Sequence, residues 1–235
     1  MESHEYKNMY ELEETHAWFR VKREMILDLF NCYGKTNSRI LDIGCGTGVI
    51  AHTLARNNQV TGLDISSEAL KYAKIRNPLL KWMKGDAQDI KCKANTFDVI
   101  IASDVIEHVD DDYRALRSIH KSLSKGGKLI LTVPAFEWLW GKDDDMLHHK
   151  RRYTKRQVRQ LLVETGFKVN FLNFWDFIPF PIAIVYKLMN KEHSIVKFSR
   201  MVNFLAYYGW RLDSKVIQKI PVPFGVSLVA VATKV

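Results

Sequence analysis

The chain has 235 residues, 47% of them hydrophobic and 26% charged, with a formal net charge of +9. This is ordinary globular usage with enough apolar residues for one sizeable core, so a fibrous or wholly disordered chain is excluded. Three widely spaced cysteines, Cys32, Cys45 and Cys92, form no C-x-x-C pair, which argues against a disulfide framework and for a reducing compartment.

The N-terminus, MESHEYKNMYELEE, is polar and acidic and has no apolar run of signal-peptide type, so a cytoplasmic start is expected. Apolar residues from Met9 to Leu29 recur at helical spacing, with a break near Thr15 and His16. Then the pattern changes. SRILDIG reads as a buried strand ended by glycine, TGVIAHTLARN as a helix, QVTGLDIS as a second strand and SSEALKYAKIRN as a helix capped by Ser66 or Ser67. LLKWMKGD is a third strand, and FDVIIASD, nearly all apolar, is a fourth with both faces covered. The next segment, DDYRALRSIHKSLSKGG, carries Leu116, Ile119 and Leu123 on one stripe and is expected to stop at its glycines, before a fifth strand in GKLILTVP.

This alternation implies a doubly wound parallel α/β sheet, in which ligands sit beyond the carboxyl ends of the strands. After Pro134 a loop of about twenty residues precedes a helix from Lys155 to Glu164, and loops of that length are often functional. FKVNFLNF fits a sixth strand and VSLVAVATKV a last one. Between them, FIPFPIAIVY is too short to span a bilayer, and HSIVKFSRMVNFLAYYGW reads as a helix with a wide apolar face. Residues 175–210 therefore either cover a sheet face or dimer interface, or form a cap facing a membrane or a lipid acceptor, with Lys191, Lys197, Arg200 and Arg211 beside it.

The glycines at 44, 46 and 48 are not the G-x-G-x-x-G of dinucleotide sites, because Val49 stands where the third glycine belongs, and no G-K-S/T follows for a Walker loop. Asp64 ends the second strand, placed to accept from both ribose hydroxyls; Asp86 ends the third, placed to accept from an exocyclic amine. With Asp42 they put acids at three strand ends, and together they point to an adenosine.

ILDIGCGTG, VTGLDIS, KGDAQDI and FDVIIASDVIEHV followed by LSKGGKLILTVP resemble, in order, the motifs of class I S-adenosylmethionine-dependent methyltransferases over residues 38–134. The resemblance implies a Rossmann-like seven-stranded sheet with the last strand antiparallel. It implies that Gly44, Gly46 and Gly48 line the methionine part of the cofactor, that Asp64 holds the ribose, that Asp86 and Ala87 meet the adenine, and that Ile65 also belongs to the cofactor site. Ser103 would lie near the methyl group and Asp42 would support the loop and the cofactor's amino group. The flanks are similar to a bacterial and archaeal subgroup often associated with cell-envelope sugars and lipids. Its W-x-x-x-D-x-x-x-x-H-x-R-R-Y segment falls on Trp140, Asp144, His149, Arg151, Arg152 and Tyr153, of which Trp140, Asp144, Arg151, Arg152 and Tyr153 are the candidate substrate-binding residues, whereas Ala17 departs from the subgroup where a second aromatic is usual.

A single domain is expected, with an N-terminal helical lid (1–37), the cofactor core (38–134), a substrate loop (135–153) and a helical insertion (175–220). Transfer to a hydroxyl needs a base. His149 is the candidate, with His148 or His108 as alternatives and His108 also suited to a structural role. Arg151 and Arg152 suit a phosphate or carboxylate, or are a solvated helix start. Trp18, Phe19, Trp138 and Trp140 form either a roof over the site, with Trp18 at the cofactor, or plain core. No metal is expected from Asp143–Asp145, His148 and His149 on an unformed loop. The expected activity is O-methylation of a small-molecule, sugar or lipid-linked acceptor. The alternatives are an RNA methyltransferase using the basic 146–159 segment, which lacks stacking aromatics apart from Tyr153, and a non-catalytic cofactor-binding protein. The expected location is cytoplasmic or peripheral at the inner membrane face, and oligomeric state is not legible.

Overall fold

A computed structural model describes residues 3–189 and 198–235. Seven strands, β1 (Arg39–Ile43), β2 (Gln59–Asp64), β3 (Lys81–Lys84), β4 (Phe97–Ser103), β5 (Leu123–Pro134), β6 (Phe167–Trp175) and β7 (Ser227–Lys234), form one sheet in the order β3-β2-β1-β4-β5-β7-β6. β7 runs antiparallel to both its neighbours and the other pairs are parallel. The expected sheet is borne out, including its reversed last strand.

The apolar runs explain the layering. Ile40, Leu41 and Ile43 of β1, Val99 to Ala102 of β4 and Leu129 to Leu131 of β5 are buried, because helices lie on both faces of the sheet. The helices are α1 (Ser3–Leu12), α2 (Ala17–Tyr33), α3 (Val49–Leu54), α4 (Ser67–Arg76), α5 (Asp112–Ser122), α6 (Lys142–Met146), α7 (Lys155–Glu164), α8 (Phe180–Leu188) and α9 (Arg200–Val216). α2 buries Val21, Met25, Ile26, Leu29 and Phe30 and also packs against α9. The break expected near Thr15 and His16 separates α1 from α2, and the His16 side chain caps α2 by accepting from the Trp18 amide.

Three local expectations are corrected. α5 ends at Ser122 rather than at the glycines, since Leu123 already pairs with Phe97 in the sheet. The loop after β5 is partly helical, with a 3-10 turn at Glu137–Leu139 followed by α6. The helix expected from His193 is α9, beginning at Arg200; Lys191, Ile195 and Lys197 lie outside the described residues. Strand order reverses between β1 and β4, so the crevice beyond their carboxyl ends is the topological switch point.

Candidate active site

The glycine loop leaves β1 at this crevice. Gly44, Gly46 and Gly48 have φ of +61°, +53° and +84°, a left-handed sequence of turns that costs side-chain-bearing residues dearly. A Cβ at Gly44 would stand 2.6 Å from Val105, and one at Gly48 would stand 2.6 Å from the Trp82 ring. The loop is held from below by acids. Buried Asp42 accepts from the Ala51 amide at 3.1 Å at the start of α3, and burial pushes its carboxyl up to about 8. That position makes it a support for the loop, with no surface of its own toward the crevice.

Asp64 accepts from the amides of Gly46 and Ser66, both at 2.8 Å, so the second strand end is tied to the glycine loop. Burial raises its pKa against those two hydrogen bonds. Ile65 beside it is 67% exposed, an apolar surface open to a flat ring. Asp86 caps the turn Ala87–Asp89 through the Gln88 amide, while Ala87 is buried. Ser103, at the end of β4, shares a hydrogen bond of 3.0 Å with the Thr132 hydroxyl of β5. The structure thus brings Asp42, Asp64, the glycines and Ser103 to one edge of the sheet, in register with β2 and β4 on either side of β1.

α1 lies across this loop. Glu13 is buried against the Thr47 hydroxyl and paired with Arg76 at 3.0 Å, while Arg76 also donates to the Thr47 carbonyl at 2.9 Å. Burial raises the Glu13 carboxyl to about 7 despite these partners.

The other half of the crevice is built from segments far apart in sequence. Asp104, with φ +53°, follows β4; it accepts from the Thr132 hydroxyl at 2.7 Å and forms an ion pair with Lys22 of α2. Burial would raise its pKa, but the Lys22 ammonium and the Thr132 hydroxyl outweigh it and hold the carboxylate ionised. The Lys22 ammonium also sits 4.7 Å from the ring centre of Trp18. Trp18 stacks on Trp175 at 5.8 Å and donates to Asp176 at 3.3 Å, which places it among the ends of β6 and β7 beside the Lys22 pair.

From the loop after β5 come Asp144 and His149. Asp144 is buried and accepts from the Gly141 amide, from His149 Nδ1 at 2.7 Å and from Arg152 Nε at 2.8 Å. Burial alone would raise its pKa; the hydrogen bonds from His149 and Arg152 reverse that and take it to about 2. The His149 ring meets His108 edge to face at 4.7 Å, and burial with the neighbouring His149 lowers the pKa of His108. His149 and His108, read from distant motifs, are therefore neighbours.

Neighbouring residues of this loop are tied to other parts of the chain. Tyr153 is buried, its hydroxyl donating to the Ile106 carbonyl at 3.1 Å and lying 3.0 Å from Asp112. Arg151 pairs with Asp112 at 3.1 Å and Lys150 with Asp110. Trp140 donates to Asp145 at 3.0 Å and takes the Lys187 ammonium on its carbonyl. Sequence reading passed over Lys22, Asp104, Glu107, Glu13 and Arg76; the acids in ASDVIEH and the base in ETHAWFRVKRE were the signs of the first three, and no motif singled out Glu13 or Arg76.

Residues 41–131 match the model of a family described as methyltransferase domain. Among curated relatives, the ubiquinone biosynthesis O-methyltransferase of Vibrio cholerae is 28% identical over 129 residues, 52% of each chain. That of Haemophilus ducreyi is 31% identical over 110 residues, 43% of this chain and 47% of the relative. The chain thus spans about half the length of the curated relatives it matches. Solved structures share its fold: a TehB-like S-adenosylmethionine-dependent methyltransferase from Corynebacterium glutamicum has a TM-score of 0.62 at 19% identity, covering 99% of this chain and 98% of that one. The [4+2]-cyclase SpnF has a TM-score of 0.59 at 23% identity, covering 89% and 80%, so the fold by itself does not specify the reaction. Residues 41–131 thus match a methyltransferase domain, and the chain has the fold of the S-adenosylmethionine-dependent methyltransferase structure it resembles.

Proposed function

We propose that the chain transfers the methyl group of S-adenosylmethionine to an oxygen of a small-molecule or lipid-linked acceptor. Gly44, Gly46 and Gly48 would run beside the methionine part, Asp64 would take the ribose, Ile65, Asp86 and Ala87 would enclose the adenine, and Ser103 and Trp18 would border the methyl group. The observation that carries the reading is the Asp144–His149 pair at the acceptor side of the crevice. Methyl transfer is an in-line displacement, in which the acceptor oxygen attacks the methyl carbon as the carbon–sulfur bond breaks. Positioning supplies much of the rate, and a hydroxyl acceptor must also lose its proton. His149, oriented through Nδ1 by Asp144, has its other ring nitrogen for that proton, and His108 stands beside it. The relatives' name, O-methyltransferase, agrees with transfer to oxygen.

A nucleic-acid acceptor is less well supported, because Lys150, Arg151 and Arg152 of the basic segment are each paired with an acid of the chain itself. A lipid-linked acceptor is favoured by α8 and α9. Ile182, Val185, Leu188, Met201, Phe204 and Leu205 are all more than half exposed, an apolar face suited to the surface of a bilayer. Arg211 does not serve that face, since it pairs with Glu24 and Asp28. Among the described residues no helix is long and apolar enough to cross a membrane. The test is incubation of the protein with methyl-labelled cofactor and a fractionated cell extract. Label in a lipid, glycan or small-molecule fraction supports the reading; label in RNA replaces the acceptor class; cofactor binding without any transfer makes the chain a binding protein.

A further inference from the structure

Glu107 is fully buried, and neither of its carboxylate oxygens has a hydrogen-bond partner from another residue. An acid left in this way is costly, whether ionised or protonated, and folded proteins rarely keep one without a use for it. It faces the two histidines of the acceptor side. One ligand atom from each of Glu107, His108 and His149 can be chosen so that all three lie within 4.8 Å of one another.

The His149 ring is anchored from within the chain. His149 Nδ1 is bound to Asp144, which Arg152 and the Gly141 amide hold in turn, and the His108 ring lies edge to face with the His149 ring at 4.7 Å. The two segments are locked together by the Lys150 amide donating to the Glu107 carbonyl at 2.8 Å. A carboxylate behind a histidine, fixing its tautomer and raising its basicity, is the supporting arrangement found around metal-bound imidazole.

We propose that Glu107, His108 and His149 bind a divalent transition-metal ion, with Asp144 as the positioning residue behind His149. One carboxylate and two imidazoles, three ligands of the four a tetrahedral ion takes, suit zinc or a neighbouring first-row ion rather than magnesium or calcium, which favour oxygen throughout. Bonds of about 2.0–2.2 Å require ligand atoms roughly 3.3–3.5 Å apart, a contraction within reach of side-chain rotation. What the ion does rests on the methyltransferase reading; that it binds does not. On that reading an acceptor hydroxyl would take the open position. The ion would lower the pKa of that hydroxyl, and its proton would pass to solvent water rather than to His149, whose lone pair is engaged.

The experiment is titration of untagged, chelator-treated full-length protein with cobalt(II), followed by visible absorption, with zinc as competitor. One equivalent should bind with the intense absorption of a low-coordinate site. Glu107→Gln and His149→Ala should each weaken binding at least 100-fold, and Asp144→Asn about tenfold or more. His52→Ala, on α3, should leave it unchanged. S-adenosylhomocysteine binding to Glu107→Gln, measured by calorimetry, should stay within about twofold of wild type, which shows that the variant is folded. Cobalt absorption unaltered by Glu107→Gln, or no stoichiometric binding by a wild type that binds S-adenosylhomocysteine, overturns the metal site. Cobalt binding as described with no affinity for S-adenosylhomocysteine would sustain the metal site and count against the methyltransferase reading.

Discussion

Asp64 does two jobs at once: it is bound by two loop amides and stands at the strand end where a ribose would lie. Asp64→Ala should lower S-adenosylmethionine affinity by about tenfold or more, because two ribose hydroxyls and two amides lose an acceptor at roughly 1–3 kcal/mol. Calorimetry checks this, and equal affinity in variant and wild type would remove Asp64 from the cofactor site. On the proposed acceptor side, His149→Ala and Arg152→Ala should each cut turnover by about 100-fold while S-adenosylhomocysteine affinity stays nearly unchanged. The reason is their common anchor, Asp144, which touches none of the glycine-loop residues. Loss of cofactor affinity in step with turnover would contradict the split. The glycine and acid motifs were legible because each lies at the end of its own strand. Lys22 was not, since its partner Asp104 is 82 residues away and only the packing of α2 onto the sheet brings them together.

α9 is docked through a buried acid. Asp213 accepts from the Ile178 amide at 3.2 Å, lies near Asp176, and burial raises each of the two carboxyls to about 7. An acid whose folded pKa is above its unfolded value holds its proton more tightly in the fold. It contributes stability that is complete below about pH 4 and is lost as pH rises through about 7. Asp213→Asn keeps the acceptor and removes the titration, so the melting temperature at pH 8 should rise by about 2–4 °C and its decline between pH 5 and 8 should flatten. Thermal melts across that range decide the matter; an unchanged slope would mean that Asp213 does not titrate there. Element types were readable from periodicity, and α7 was expected over its observed span. The end of α5 was not, because pairing of Leu123 with Phe97 overrides a glycine stop that local pattern alone would suggest.

For the molecule as a whole, the exposed face of α8 and α9 is the feature most open to test. Phe177 and Ile184 are half-buried and Phe180 is buried, whereas Phe198 and Val202 are exposed, so the insertion is only partly used by the core. Wild type should float with anionic vesicles, and the double variant Phe204→Glu, Leu205→Glu should not. Both side chains are about 60% exposed, so the melting temperature should move by no more than about 2 °C. A wild type that stays with the soluble fraction would leave α8 and α9 for a second copy of the chain or a soluble acceptor.

By itself the sequence determined the order of strands and helices, the glycine loop and the acids at three strand ends, because these depend on residues close together in the chain and on side-chain periods of 2 and 3.6. Only the tertiary structure decided which polar residues meet beyond the ends of β4 and β5. Lys22 reaches Asp104, Arg152 and His149 converge on Asp144, and Glu107 is left without a partner beside His108 and His149, because the sheet order places the ends of β4 and β5 side by side. Tyr153 and Arg151, read as substrate contacts, turn toward Asp112 for the same reason: one face of their short segment packs against the start of α5. Which of two adjacent polar residues faces the crevice is a matter of long-range packing, and no local spacing encodes it.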